Sequence, residues 1–340
     1  MSDLFFPPEW YPQSGIQITW PHSGTDWCGI LEEVTQCYIL FSKEILKHEK
    51  LLIVCHDRHA ILKYFTSDEQ KKLIVVESDS NDTWARDHGA ISIFENDKPI
   101  ILDFGFNAWG LKFSADKDNL ITAQLFNKSV FNSEVSYHNH NNFILEGGSI
   151  ESDGKGTVLT TSACLMAPNR NQPLSKNDIE LYLKKSLGAE RILWLNHGYL
   201  SGDDTDSHID TLARFCNETT IAYVKCDDQL DEHYDELKAM EKEIMSFKAY
   251  NGQPYSLMPL PMADAIYDNG SRLPATYANF LIINNVVLLP FYNSPKDKIA
   301  KHQLQKAFPD REIIGINSNA LIKQYGSLHC VTMQFPEGFL

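Results

Sequence analysis

The sequence predicts an α/β protein folded as a single domain from a repeated hairpin, helix and strand unit. Three observations carry this expectation. Short strands of alternating polarity recur in pairs around tight turns. Stretches with helical spacing follow the pairs and lead into short apolar strands. No Pro/Gly/Ser-rich linker or low-complexity tract divides the 340 residues. Self-similar units of this kind imply a radial or stacked arrangement, because each unit must bury its apolar face against the next.

The first pair runs over 89–94 and 99–104, around a turn at Glu95-Asn96-Asp97-Lys98. The second runs over 148–151 and 157–160, with Asp153-Gly154 as a strong hairpin signal. The third spans 209–215 and 220–224 around Asn217-Glu218, and the fourth 280–283 and 286–289 around Asn284-Asn285. Helices are expected over 116–126, 175–187, 227–247 and 296–308, with Ser175-x-x-Asp178 and Asn177 offering N-cap chemistry to the second. Apolar strands are expected at 73–76, 191–195 and 313–316.

A net charge of -15 disfavours nucleic acid and anionic membranes and weakly favours small cations. No run of eighteen apolar residues offers a membrane span. The first eight residues lack the basic start and apolar core of a leader. Seven cysteines without a CxxC pair fit neither a disulfide framework nor a zinc ribbon, so a cytoplasmic protein in a reducing setting is expected. A homo-oligomer is compatible with this reading.

Polar residues precede the hairpins at regular spacing. Asp87 to Glu146 is 59 positions, Glu146 to His208 is 62, and His208 to Cys330 is 122, twice 61. Equivalent positions in radially arranged units meet on one axis, so these four are expected to converge.

Most free cysteines are buried and inert, and the other six sit in apolar contexts. Cys330 follows a Gly326-Ser327 turn and opens the last strand, where a thiol can face a cleft. A nucleophilic thiol needs a cation or base nearby. His329 points away if the segment is a strand, and is expected to be structural or to line another surface. His208 and Asp210 share a face if theirs is a strand, and histidine suits proton transfer near neutrality. The acidic run 203–207 lacks the glycine and closing glutamate of an EF-hand loop. Asp87 sits near a strand mouth beside Arg86, which reads as structural, and Glu146 sits at a Gly-Gly turn. Asp87 and Asp210 could grip a planar guanidinium from two sides and hold its carbon before the thiol.

These elements resemble the agmatine deiminases, in the branch of the guanidine-modifying superfamily that includes a bacterial type of peptidyl-arginine deiminase. The resemblance rests on Trp84-Ala85-Arg86-Asp87, 106–110, 146–149, His208-Ile209-Asp210 and 329–332, in order over about 20–336. It implies a five-bladed α/β propeller, the pentein fold, in which the strand near Cys330 closes against 16–19. It implies that Cys330 attacks the guanidinium carbon, Asp87 and Asp210 bind its nitrogens, His208 protonates the leaving ammonia and then activates water, and Glu146 orients and charges His208. Trp84 and Trp109 would line the pocket or its lid, and no cofactor or metal is implied. The partner implied is a small cationic guanidine, agmatine, giving N-carbamoylputrescine and ammonia.

The chain departs from the family pattern at 204–208, at Leu111 and at Tyr325-Gly326-Ser327-Leu328. These positions bear on the distal end of the substrate, for which Asp204 is the candidate ligand and Asp206 a second nearby acid. No arginine pair is evident for an α-carboxylate. Arginine or peptidyl-arginine deimination, amidino transfer and non-catalytic polyamine binding are the alternatives. A papain-like peptidase is disfavoured by the reversed order of histidine and cysteine. The thiol would be activated either by an imidazolium or by the bound guanidinium itself.

Overall fold

The computed structural model describes residues 4–340; the first three residues of the segment read for a leader lie outside them. Five of its sheets share one pattern: an antiparallel pair joined by a third, parallel strand. Ile91–Glu95 pairs with Lys98–Gly105, and Ser136–Ile144 runs parallel to the latter. Ile150–Ser152, Thr157–Thr161 and Arg191–Leu195 repeat this, as do Ala213–Asn217, Thr220–Lys225 and Ser256–Pro261. Leu281–Ile283, Val286–Phe291 and Glu312–Asn317 form the fourth. The fifth joins the two ends of the chain. Thr332–Pro336 pairs antiparallel with Gln13–Thr19, Thr332 opposite Ile18, and Lys50–Cys55 and Leu73–Glu77 follow in parallel.

A helix carries the chain over each parallel crossover, as parallel pairing requires. These are Ile121–Asn127, Lys176–Leu187, Tyr234–Ser246, Lys296–Ala307 and, in the fifth unit, Leu31–His48. Ser175 caps Lys176–Leu187 in a reciprocal box with Asp178. Leu31–His48 buries Val34, Cys37, Tyr38, Phe41 and Ile45, one stripe at helical spacing. None of the helices among the described residues is long and apolar enough to cross a membrane.

Three expectations need correction. The helix expected over 227–247 begins at Tyr234. Before it, Asp228 accepts from the Leu230 amide and Asp231 from the His233 amide, turn chemistry that competes with a helix. The helix expected from 116 begins as a short 3-10 turn, Asp118–Leu120. There the Asp118 carboxylate is spent on the Asn81 and Asp82 amides. The segment Ile209–Thr211 is a 3-10 turn before the strand Ala213–Asn217, so the third hairpin starts later than its apolar pattern suggests.

Charge as well as apolar packing ties the sheets together. Arg214, fully buried, bonds both Glu9 and Glu151, and its Nη1 donates to the Phe280 carbonyl at 2.6 Å. Burial alone would raise the Glu9 carboxyl, but Arg214 and His329 hold it well below its usual range. Replacing Arg214 leaves the buried Glu151 without its cation and Glu9 with His329 alone. Arg214→Met is therefore expected to cost about 3–5 kcal/mol, read as a lower denaturant midpoint; a loss within experimental error would show the network is dispensable.

Candidate active site

One short turn stands before each of several hairpins, and each delivers a polar side chain inward. The helix Ala85–His88 carries Asp87; Glu146 precedes the 3-10 turn Gly147–Ser149; His208 precedes Ile209–Thr211, which contains Asp210. Cys330 lies within a turn, two residues before the strand Thr332–Pro336, rather than opening it. All five are buried.

The chain does bring them together. His208 Nδ1 lies 3.6 Å from Asp87 Oδ1, and Cys330 Sγ lies 3.8 Å from Asp210 Oδ2. Gly148 fits between them: a Cβ there would meet His208 Nδ1 at 2.6 Å, Asp87 Oδ1 at 2.8 Å and Asp210 Oδ2 at 3.2 Å. Its amide donates to Asp87 Oδ1 at 3.1 Å, while the Trp109 indole donates to Oδ2 at 3.0 Å. His208 and Asp210 do not share a strand face, as the sequence suggested; the 3-10 turn bends the chain so that both reach the centre.

Two partners escaped the sequence reading, and one was misplaced. Asn279 precedes the fourth hairpin. Its Oδ1 accepts from the His329 and Cys330 amides, at 2.9 and 3.3 Å. Its Nδ2 is then the group free to face Cys330 Sγ, at 3.2 Å. Arg170 lies on an irregular loop and bonds Glu146 Oε1 through Nε at 3.0 Å. His329 does not line another surface: in a turn, strand alternation does not apply, and its Nδ1 bonds Asp210 Oδ2 at 2.7 Å while Nε2 bonds Glu9 at 2.7 Å.

The electrostatics are unusual for a thiol site. Burial, then the Asp210 and Asp87 carboxylates, push the Cys330 thiol well above its ordinary value. Burial, against the pull of His208 but helped by Asp210 and Glu146, pushes Asp87 up to about 6. Burial would lower His208, yet Asp87 and its other neighbours hold it protonated well above its usual range. Burial would raise Asp210, but His329 keeps it below the ordinary carboxylate value.

The pocket reaching Cys330 is lined by Trp84, Asp87, Trp109, Asp203, Asp204 and Tyr325, among others, and by no lysine or arginine. Gly326 lies flat against Trp84, whose ring a Cβ would meet at 2.1 Å. Burial, then Asp203, pushes Asp204 up to about 6. Asp206 is not a pocket acid: its oxygens pair with Lys112 at 2.9 Å and Arg170 at 2.6 Å.

Two buried groups, Glu146/Cys164/His208 and Glu9/Glu151/His329, bring three candidate metal-ligand atoms within 4.8 Å of one another. In each an arginine already bonds the carboxylates, Arg170 in the first and Arg214 in the second.

Comparison with known proteins gives this geometry a context. The Porphyromonas-type peptidyl-arginine deiminase family matches residues 5–336. A crystal structure from Porphyromonas gingivalis, provisionally described as an arginine deiminase, is 53% identical over 99% of each chain, with a TM-score of 0.96. A cysteine-to-serine variant of C. jejuni agmatine deiminase with substrate bound is 40% identical over 100% of this chain and 98% of that one, TM-score 0.92. A protein of Legionella pneumophila (strain Paris), provisionally named an agmatine deiminase, is 32% identical over 99% of this chain and 96% of its own. Dimethylarginine dimethylaminohydrolase from Pseudomonas aeruginosa shares the fold alone, at 10% identity over 96% of this chain and 100% of that one, TM-score 0.51.

The contact at Gly148 yields a direct test. Gly148→Ala must displace His208, Asp87 or both, and a displacement near 1 Å at reacting groups costs about 100-fold in turnover. Steady-state kinetics should show that loss with the melting temperature little changed; unimpaired turnover would mean these side chains need not sit where they do.

Proposed function

This chain belongs to the Porphyromonas-type peptidyl-arginine deiminase family, and we propose that within it the protein hydrolyses agmatine to N-carbamoylputrescine and ammonia. The observation that carries the substrate choice is the lining of the pocket. Asp87, Asp203 and Asp204 line it together with Cys330, and no basic side chain is present to receive an α-carboxylate. A guanidinium at one end and an ammonium at the other match that distribution, since a buried cation requires paired carboxylates.

The guanidinium sits between Asp87 and Asp210, its carbon before Cys330 Sγ. Its positive charge offsets the two carboxylates that hold the thiol protonated, so binding favours loss of the thiol proton. The Asn279 amide N–H stabilises the thiolate. The thiolate adds to the guanidinium carbon. Protonated His208 gives a proton to one amino group, the C–N bond breaks, and ammonia leaves behind a thiouronium. The now neutral His208 takes a proton from water as hydroxide adds to the same carbon. The C–S bond then breaks, and the hydroxyl proton passes to the departing sulfur, which restores the thiol and leaves the ureido product. Glu146 keeps the imidazole oriented and favours its charged form. Trp84 and Trp109 wall the methylene chain from water, and Asp204 takes the distal ammonium.

The same reading arranges the five repeated units as a five-bladed propeller closed by the pairing of the chain ends, one domain with the site on its axis. Seven free thiols suit a reducing, cytoplasmic setting.

Purified protein given agmatine, arginine or a blocked arginyl peptide should form ureido product and ammonia from agmatine alone. Cys330→Ser should lose this activity by at least about 1000-fold while still binding agmatine. Preferred turnover of arginine or of the peptide would overturn the substrate choice. Full activity in the serine variant would overturn the nucleophile.

A further inference from the structure

Three consecutive residues on the loop after the second hairpin hold three separate parts of the site. Asn169 holds the segment carrying Trp109: its Nδ2 donates to the Gly110 carbonyl at 3.3 Å, and its own carbonyl accepts from Asn107 Nδ2 at 2.7 Å. Asn171 clamps both backbone groups of Ile144, two residues before Glu146, at 2.9 and 2.8 Å. Between them the fully buried Arg170 side chain spreads its fork over two elements. Nε bonds Glu146 Oε1, Nη1 bonds Asp206 Oδ2 at 2.6 Å, and Nη2 donates to the Thr205 carbonyl at 2.8 Å.

The loop so gripped cannot rest easily by itself. Asp206 and Ser207 both adopt left-handed backbone, at φ 66 and 65, and such residues persist only when their surroundings fix them. Asp203 bonds the Ser207 amide at 2.7 Å, and Lys112 bonds Asp206 Oδ1 and the Asp204 carbonyl. This loop carries Asp204 into the pocket, and the next residue after Ser207 is His208. Lys112 in turn follows four successive left-handed residues, Ala108 to Leu111, whose turn aims Trp109 at Asp87.

We propose that Arg170 is a positioning residue that couples recognition of the substrate's distal cation to the acid–base pair Glu146 and His208. One guanidinium fixes both the carboxylate that serves His208 and the loop that presents Asp204. The 203–207 loop rests on Arg170 through Asp206 and the Thr205 carbonyl, so an ammonium held at Asp204 bears on the same fork that holds Glu146. The tail thus acts on turnover as well as on affinity, as expected where remote binding energy is used at the reacting centre. This rests on the reading of the pocket as that of a diamine-tailed guanidine.

The test compares agmatine with n-butylguanidine, which lacks only the distal cation. Wild type should favour agmatine in kcat as well as in KM, by about 10-fold, a typical coupling between two sites. Arg170→Met should abolish the kcat preference. Arg170→Lys should not restore it, because one ammonium cannot serve three acceptors fixed in a planar fork. Asp206→Asn breaks the loop arm at a partly exposed carboxylate and leaves the Glu146 contact, so it remains informative if the Arg170 variants fold poorly. It too should reduce the kcat preference, with melting temperature retained. Equal loss of kcat on both substrates in Arg170→Met, or an unchanged kcat preference in Asp206→Asn, would overturn the coupling. Failure of wild type to turn over agmatine would instead overturn the assignment of substrate.

Discussion

Everything at the centre of this protein depends on one constraint: two buried carboxylates, Asp87 and Asp210, flank a buried thiol, and no lysine or arginine lines the pocket that reaches it. Such a site is electrostatically unfinished. The carboxylates disfavour the thiolate, and the low-dielectric surroundings make their mutual repulsion costly. A planar cation with donors on several sides completes it. On the proposed mechanism, its binding and the activation of Cys330 become one event, which would select guanidinium compounds before any contact with their tails is made.

The fold supplies the rigidity this needs. Each carboxylate and the thiol sit on a turn fixed to a hairpin, and different sheets meet behind them. Under the site, His329 joins Asp210 to Glu9, and Arg214 joins Glu9 to Glu151. The charge of Asp210 is thereby held by a chain of partners that reaches through the core. Gly148 shows how little slack remains, since no side chain fits at its position.

Much of this is written in spacing. Asp87, Glu146 and His208 stand 59 and 62 residues apart, and Cys330 122 residues beyond His208, because each opens an equivalent unit. Asn279 broke that rhythm: it lies 71 residues after His208, beyond an inserted excursion with its own small hairpin, Tyr267–Asp268 and Ser271–Arg272. The strand Ser136–Ile144 was illegible because most of its side chains are polar and only Phe143 is buried. The fifth unit was hard to see because the chain ends share it, leaving only strand, helix and strand at the N-terminus. Arg170 acts from a loop with no periodicity, and Asp206 looked like a second pocket acid because sequence cannot tell which acids an arginine has already taken. His329 was set aside by a strand rule that does not hold in a turn.

The most direct measurement is the ultraviolet thiolate signal of Cys330, taken as wild type minus Cys330→Ala, against pH with and without guanidinium ion. The account predicts that the free protein holds the thiol protonated past 9.0, and that bound guanidinium brings thiolate formation to lower pH. A thiol that ionises well below 9.0 in the free protein, indifferent to guanidinium, would contradict it and give the activating role to an imidazolium partner instead.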